Sequence, residues 1–455
     1  MTIYKSCDIR GLYPSELDEQ TAWDLGRVVG RRFASQAVVV GGDQRLSTPV
    51  LASALIDGLR AEGQRVVDLG VLPTPTFYHA KRRLGAPLGV MVTASHNPPQ
   101  YNGFKVMLGE LPVQPEDVQQ LADDMATLPP ARRGGVRRAG DVQRVDALPD
   151  YVASLTQAFC GLAPRRVVVD AGNGSMWQVA PAVLRACGQE VLELYCTPDG
   201  RYPNRDPNPA VPVHLSELCR TVRDSGAALG VAFDGDGDRV VTVDARGRVL
   251  PSDRLLVLFV RHLLRAHPRG AIVYDLKSSS VVADETRAAG GRAIMERSGH
   301  AFIKRRLLTE GAVLGGEVSG HFFFGALGGD DALYATLLLL RVLDTLGTEL
   351  AEAIDSVPAY PITPDLRLAC EPSRAQRILN ELEAAFADHE INRLDGVRIQ
   401  FAAGWALARL SVTEPLLTLR YEARSDAELA AIQAEVRDRA PLLDALLRET
   451  GTGRG

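Results

Sequence analysis

None of the six cysteines in this 455-residue chain, Cys7, Cys160, Cys187, Cys196, Cys219 and Cys370, stands in a C-x-x-C pair. Neither a zinc ribbon nor a disulfide framework is indicated, and the thiols read as small, mostly buried apolar groups. Long hydrophobic runs are missing too. The richest, LLVLFV and LLLL, fall far short of the roughly 20 residues that span a bilayer, and the N-terminal MTIYKSCDIRG lacks the apolar core of a signal peptide. No membrane association and a cytoplasmic location are therefore expected. A basic excess is absent: the formal charge of −5 and pI of about 6.0 carry no nucleic-acid footprint, which leaves small anions recognised in local basic pockets. There is no G-x-x-x-x-G-K-[ST] phosphate loop and no G-x-S-x-G elbow, so neither a P-loop phosphotransferase nor an α/β-hydrolase is supported. Lysine is scarce, five against 46 arginines. Lys105 stands out for that reason, since an ammonium can exchange a proton where a guanidinium cannot.

What is present is a repeat. Hydrophobic residues make up 46% and charged residues 24%, enough apolar material for several cores, and the length predicts three or four domains. Three segments share one layout of apolar strand, polar turn with Asp, helix-like stretch, Gly and second apolar strand. Asp43 to Gly63, Asp170 to Gly188 and Asp275 to Gly291 are separated by 20, 18 and 16 residues. This is βαβ spacing, and it predicts parallel sheets covered by helices. Each unit then carries a further strand running into an unusual loop: LGVMVTASHNP from Leu88, LGVAFDGDGDR from Leu229 and AVLGGEVSGH from Ala312. Ligands of open α/β sheets gather at the carboxyl ends of strands, so three such loops predict one shared site. The tail, with two helix patterns around three strand patterns, reads as a smaller α+β domain. The expected units are 1–145, 146–250, 251–357 and 358–455.

In DGDGDR, Asp234, Asp236 and Asp238 are mutually repulsive, and the intervening glycines let the backbone turn tightly enough for all three to meet one hard divalent cation. An EF-hand is excluded because Arg239 and Ala245 occupy its glycine and glutamate positions. Arg239 would instead set a fixed positive charge beside the metal, suited to a bound phosphate. Ser95 and His96 are neighbours on an extended segment, so their side chains point apart and a hydrolase triad explains them poorly. With Lys105 and a metal loop they are compatible with a phosphoserine, or with a plain Ser/Asn/Pro turn. Glu317, Ser319 and His321 offer partners for sugar hydroxyls and a proton carrier near neutral pH, unless theirs is a bland glycine loop. Arg409, Ser411 and Thr413 form either a phosphate clamp or a strand-to-turn junction.

TASHNP, DGDGDR, GEVSGH and RLSVTEP, in that order, resemble the four motifs of the α-D-phosphohexomutase superfamily, and CDIRG resembles its N-terminal arginine motif. The resemblance runs from about residue 3 to residue 425. YNGFK, DGRYPNRDPNP and SGHAFIK are similar to the bacterial phosphomannomutase/phosphoglucomutase branch. It implies a heart-shaped enzyme of three repeated α/β domains and a smaller α+β domain around a central cleft. It further implies a phosphosugar substrate and interconversion of hexose 1-phosphate and hexose 6-phosphate through a 1,6-bisphosphate. Ser95 would be the phosphoserine and would hold Mg²⁺ with Asp234, Asp236 and Asp238, supported by Arg239. Arg10, His96, Lys105 and His321 would surround the reacting groups, with Lys105 and His321 as proton carriers. Lys277, His300, Glu317, Ser319, Arg409, Ser411 and Thr413 would bind substrate. Monomer or weak homo-oligomer is the expected state. The chain departs from the pattern at Cys7, where tyrosine is common, and at Val412, where Asn or Gly is usual. Val318, where phosphoglucosamine mutases carry Gln, disfavours that alternative. A metal-dependent phosphatase would have no need of the sugar loop or the clamp.

Overall fold

The computed structural model describes residues 3–33, 37–129, 140–410 and 415–450. Its sheets are carried by the valine-rich stretches. Val38, Val39 and Val40, like Val167, Val168 and Val169, are fully buried, as central parallel strands covered on both faces require. In the first sheet Ala37–Gly42, Arg65–Val71 and Leu88–Val92 run parallel, with Val142–Arg144 parallel at one edge. Tyr101–Leu108 and Ile9–Leu12 pair antiparallel at the other edge. The second sheet places Arg166–Asp170 between Glu190–Leu194 and Leu229–Phe233, all parallel, and the third places Ala271–Asp275 between Arg292–Glu296 and Leu314–Gly316 in the same way.

The three units share one departure from a purely parallel sheet. A parallel strand enters a loop and returns as its own antiparallel neighbour: Leu88–Val92 into Tyr101–Leu108, Leu229–Phe233 into Val240–Asp244, and Leu314–Gly316 into Phe322–Phe324. The loops between, 93–100, 234–239 and 317–321, are the three read from the sequence, at equivalent strand ends. The tail forms a five-stranded antiparallel sheet, Leu366–Ala369, Leu416–Ala423, Gly404–Leu410, Val397–Gln400 and Glu390–Asn392. It packs on helices Pro372–Ala385, Asp426–Arg439 and Pro441–Glu449 through Ile378, Leu382, Phe386, Val436 and Leu443.

Hydrophobic packing follows different divisions from the sheets. One continuous cluster joins Tyr151, Phe159, Val167 and Phe233 to Phe259, Leu337 and Leu343, so the second and third sheets share a core. Phe159 meets Tyr334 edge-on, with ring centroids 4.9 Å apart. Tyr151 donates its hydroxyl to the buried Asp331 carboxylate at 3.0 Å, and Asp331 caps helix Ala332–Leu346 by accepting from the Tyr334 N–H. The fourth sheet joins the third through Leu276, Trp405 and Leu407. All six cysteines are free thiols, and among the described residues no helix is long and apolar enough to cross a membrane.

Two predictions follow from this packing. Helices Glu19–Arg32 and Thr48–Ala61 approach so closely that a Cβ on Gly58 would lie 2.1 Å from the Trp23 carbonyl oxygen. Helix propensity alone favours Gly58→Ala by up to ~1 kcal/mol, but the clash dominates, and the variant is expected to lose about 2 kcal/mol of stability in denaturant unfolding. The second concerns Asp331, whose carboxyl burial pushes up to about 7. An unfolded Asp titrates near about 3.9, so between those values the folded state holds the extra proton and stability falls as pH rises. Asp331→Asn keeps a capping side chain without the charge. Its thermal midpoint is expected to gain on the wild type from about pH 4 to about pH 7. A constant difference across that range contradicts the assignment.

Candidate active site

Ser95 sits in the first loop with a φ of +50°, in the left-handed region that a non-glycine residue occupies only when its surroundings impose it. Arg45 imposes it. This buried guanidinium pairs with Asp43 at 3.1 Å and donates to the carbonyls of Ser95 at 2.8 Å, Asn97 at 2.6 Å, Pro98 at 2.7 Å and Tyr101 at 3.0 Å. Thr93 adds a second restraint, its hydroxyl accepting from the Ser95 N–H and donating to Asp43. The loop is thereby closed around its own backbone, and the Ser95 hydroxyl is held 3.0 Å from Asp234 Oδ2 and 3.2 Å from His96 Nδ1. The segment is therefore not extended, and the left-handed turn at Ser95 brings together two side chains that an extended backbone would point apart.

Asp234, Asp236 and Asp238 are fully buried, with one oxygen of each within 4.8 Å of the others. Asp234 Oδ1 accepts the N–H groups of Gly237 and Arg239 at 2.9 and 3.2 Å. Asp236 Oδ2 accepts from Thr74 and the Lys105 ammonium, each at 2.7 Å, and lies 3.2 Å from the Thr93 hydroxyl oxygen, and Lys105 also reaches Asp238 Oδ2 at 2.5 Å. Burial and the two neighbouring carboxylates push Asp234 up to about 8. Burial works against the Lys105 ammonium as well, but Asp236 and Asp238 outweigh it and hold the lysine protonated. Two buried oxygens, Asp236 Oδ1 and Asp238 Oδ1, have no hydrogen-bond partner. Three buried carboxylates with a single bridging ammonium and two orphaned oxygens are a donor set that fits a hard divalent cation.

The third loop closes over this centre. Arg239 and His321 form an antiparallel bridge between the second and third units, and the Arg239 Nε–H donates to His321 Nε2 at 2.9 Å. His321 Nδ1 lies 3.1 Å from Asp330 Oδ2, so its proton is held there. Burial disfavours the imidazolium, but Asp238 and Asp330 raise the His321 pKa overall. His300 stacks on His321 with centroids 6.0 Å apart, and burial with the Lys105 charge pushes it down to about 4. His96 is driven well down by burial and by Arg239 and Arg10. Arg10 donates to Asn97 Oδ1 at 2.7 Å and pairs with Asp8. Glu317 accepts the Gly299 N–H at 2.5 Å and the Ser319 hydroxyl at 3.4 Å.

Ser95, His96, Lys105, Arg239, His300, His321 and the three aspartates thus form one cluster, with Arg10 and Glu317 at its edge. Lys277 and Arg409 belong to a second group. Lys277 Nζ pairs with Asp365 at 3.1 Å, Arg420 reaches the same carboxylate at 3.4 Å, and Arg409 pairs with Asp395 at 2.7 Å. Although burial alone would raise it, Lys277, Arg420 and Arg409 hold the Asp365 carboxyl low. Ser319, Lys277, Asp365 and Arg420 line one cavity of about 550 Å³, which connects the sugar loop to the fourth sheet. Ser411, Val412 and Thr413 lie outside the described residues. Cys7 is half-buried, its thiol pushed up to about 12 by burial and Asp8.

Several residues of the site escaped the sequence reading. Arg45, Thr74 and Thr93 shape the serine loop and the acidic centre; Asp330 orients His321; Arg420 adds a third cation to the distal group. One signal was available: the polar turn carries an Asp in all three repeats. Asp43 anchors Arg45, Asp170 anchors Arg205, which grips the Phe233 carbonyl at 2.7 Å, and Asp275 holds Ser278 and Ser298. In each unit the aspartate at one strand end braces a loop leaving a neighbouring strand.

Sequence models of the phosphoglucomutase/phosphomannomutase α/β/α domains I, II and III match residues 1–131, 149–247 and 251–360, and that of its C-terminal domain matches 366–439. A phosphomannomutase/phosphoglucomutase of Pseudomonas aeruginosa is 37% identical over 453 residues, covering 98% of this chain and 97% of its own. A phosphoglucomutase of Neisseria meningitidis is 36% identical over 441 residues, covering 95% of each. The crystal structure of a phosphoglucomutase/phosphomannomutase family protein from Burkholderia thailandensis superimposes with a TM-score of 0.89 at 35% identity, over 100% of this chain and 99% of that one. With four domain matches in order and full-length relatives above a third identical, the chain belongs to the phosphoglucomutase/phosphomannomutase family of phosphohexomutases.

Proposed function

We propose that this protein interconverts the 1-phosphates and 6-phosphates of hexoses, mannose and glucose alike, by passing a phosphoryl group through Ser95. The phosphoserine P–O bond breaks as the phosphorus bonds to the free hydroxyl of the bound sugar monophosphate, giving a hexose 1,6-bisphosphate and a free serine. The bisphosphate turns end for end, its other phosphoryl group passes to Ser95, and the isomeric monophosphate leaves. The observation that carries this reading is the Ser95 hydroxyl, fixed by Arg45 against Asp234 in a buried acidic centre.

Mg²⁺, held by Asp234, Asp236, Asp238 and a phosphoserine oxygen, would supply charge neutralisation to the transferring group. The remaining work falls to side chains. Lys105 and Arg239 add fixed positive charge to the acidic centre against which the Ser95 hydroxyl rests, and Lys105 and His321 are the expected proton carriers. His321 can take a proton on Nε2 only when Arg239 releases that nitrogen, so the bridge between them decides when it acts as base. Arg10 and His96 line the serine. Glu317, Ser319 and His300 bind sugar hydroxyls. Lys277 and Arg409, with Ser411 and Thr413, clamp the phosphate that is not reacting; Asp365 marks their preference for an anion. We further place the protein in the cytoplasm, where its six free thiols would stay reduced. A monomer or weak homo-oligomer is the state we expect.

With Mg²⁺ and a trace of hexose 1,6-bisphosphate, mannose 1-phosphate and glucose 1-phosphate are both expected to yield their 6-phosphates faster than glucosamine 1-phosphate does. Preference for the amino sugar would assign the chain to phosphoglucosamine turnover, and free phosphate as sole product would make it a phosphatase. Ser95→Ala is expected to lower kcat on the order of a thousandfold or more and to remove the covalent phosphate that intact-mass and peptide analysis should find on Ser95 in the resting enzyme. An active enzyme phosphorylated elsewhere contradicts the mechanism.

A further inference from the structure

A cavity of about 280 Å³ lies behind the acidic centre, outside the cluster around Ser95. Helix Thr74–Arg83 with the 85–87 segment after it, residues 107–110, helix Leu148–Ala158, the 327–331 turn and Lys304 wall it. Its apolar lining includes Met107, Leu155 and Leu327. Lys304 is only 3% exposed, yet among the described residues its ammonium has neither an ion pair nor a hydrogen bond. It lies 4.2 Å from the centroid of the Tyr78 ring, and the Tyr78 hydroxyl is itself buried without a partner. Burial pushes Lys304 down to about 8, as expected of a cation with no counter-ion at contact distance.

The surrounding charges restrict what could bind. Lys81 is engaged by the Gly109 carbonyl and Arg82 by that of Ala326, at the rim. Glu110, Asp330 and Asp331 also line the cavity and offset the charges of Lys81, Arg82 and Lys304, so a dianion such as a phosphate monoester would add more uncompensated charge than a monoanion. Lys304 is the cation of the three with no hydrogen-bond partner among the described residues. A monoanion balances Lys304 one for one, and the apolar lining suits a compact hydrophobic body. Asp330 lines this cavity while its Oδ2 holds His321, so one carboxylate is shared between the cavity and the acidic centre.

We propose that this cavity is a second binding site, for a small organic monocarboxylate whose carboxylate pairs with Lys304 and whose apolar body lies against Met107, Leu155 and Leu327. The inference rests on the cavity alone and not on the reaction at Ser95. A ring-fluorinated phenylacetate, titrated into the full chain and followed by fluorine NMR, is the probe; the corresponding uncharged phenylacetamide is the control. The acid is expected to bind saturably and on the order of tenfold more tightly than the amide, the value of one charge-assisted contact. Lys304→Met is expected to erase that preference, and saturating glucose 1-phosphate to leave the probe bound. Equal affinity for acid and amide, absence of saturable binding, a preference that survives Lys304→Met, or displacement by the sugar phosphate would each overturn the proposal. The acid–amide comparison uses the wild-type protein and stands even where the variant fails to fold.

Discussion

Three carboxylates buried side by side repel one another, and the site is organised around that repulsion. Asp234, Asp236 and Asp238 come from one short loop, so no rearrangement of distant elements relieves it. Relief arrives from the first unit, through the Lys105 ammonium and the Thr74 and Thr93 hydroxyls, and from the loop's own Arg239, which bridges to His321 of the third unit. Ser95 joins the same loop through its hydroxyl, which donates to Asp234 at 3.0 Å. The electrostatic demand of one loop explains why loops from three sheets meet, and why a divalent cation would be bound where two oxygens lack partners.

The repeat supplies the geometry that this demand uses. A parallel strand that returns as its own antiparallel neighbour presents a short loop at the carboxyl end of the sheet, and three copies present three such loops. Bracing is repeated as well, by an aspartate at the end of an adjacent strand, with arginine as its intermediary in the first two units. What differs is the cargo of each loop: a hydroxyl, a set of carboxylates, a carboxylate with an imidazole. The shared core of the second and third sheets holds two of those loops in one packed body. The fourth sheet is attached through the smaller apolar contact of Leu276 with Trp405 and Leu407, through the Lys277–Asp365 and Arg424–Asp284 ion pairs, and through Glu422, which accepts from the Ser280 N–H.

The sequence by itself determined the three βαβ units, the loops at their strand ends and the identity of the acidic, hydroxyl and imidazole groups. Strand period, turn residues and short motifs are local properties, readable wherever they occur. The aspartates of the polar turns were visible as a recurrence, though their bracing role was not. Tertiary structure alone decided the rest. Arg45 looks like any other of 46 arginines until the fold wraps the 93–101 backbone around it. Lys105 and His321 read from sequence as two interchangeable proton carriers. Their surroundings differ only through packing: Lys105 bridges Asp236 and Asp238, whereas His321 accepts from Arg239 on one ring nitrogen and faces Asp330 with the other. Protonation and strain depend on charges brought together across more than a hundred residues of chain, and no local pattern encodes the distances on which those energies depend.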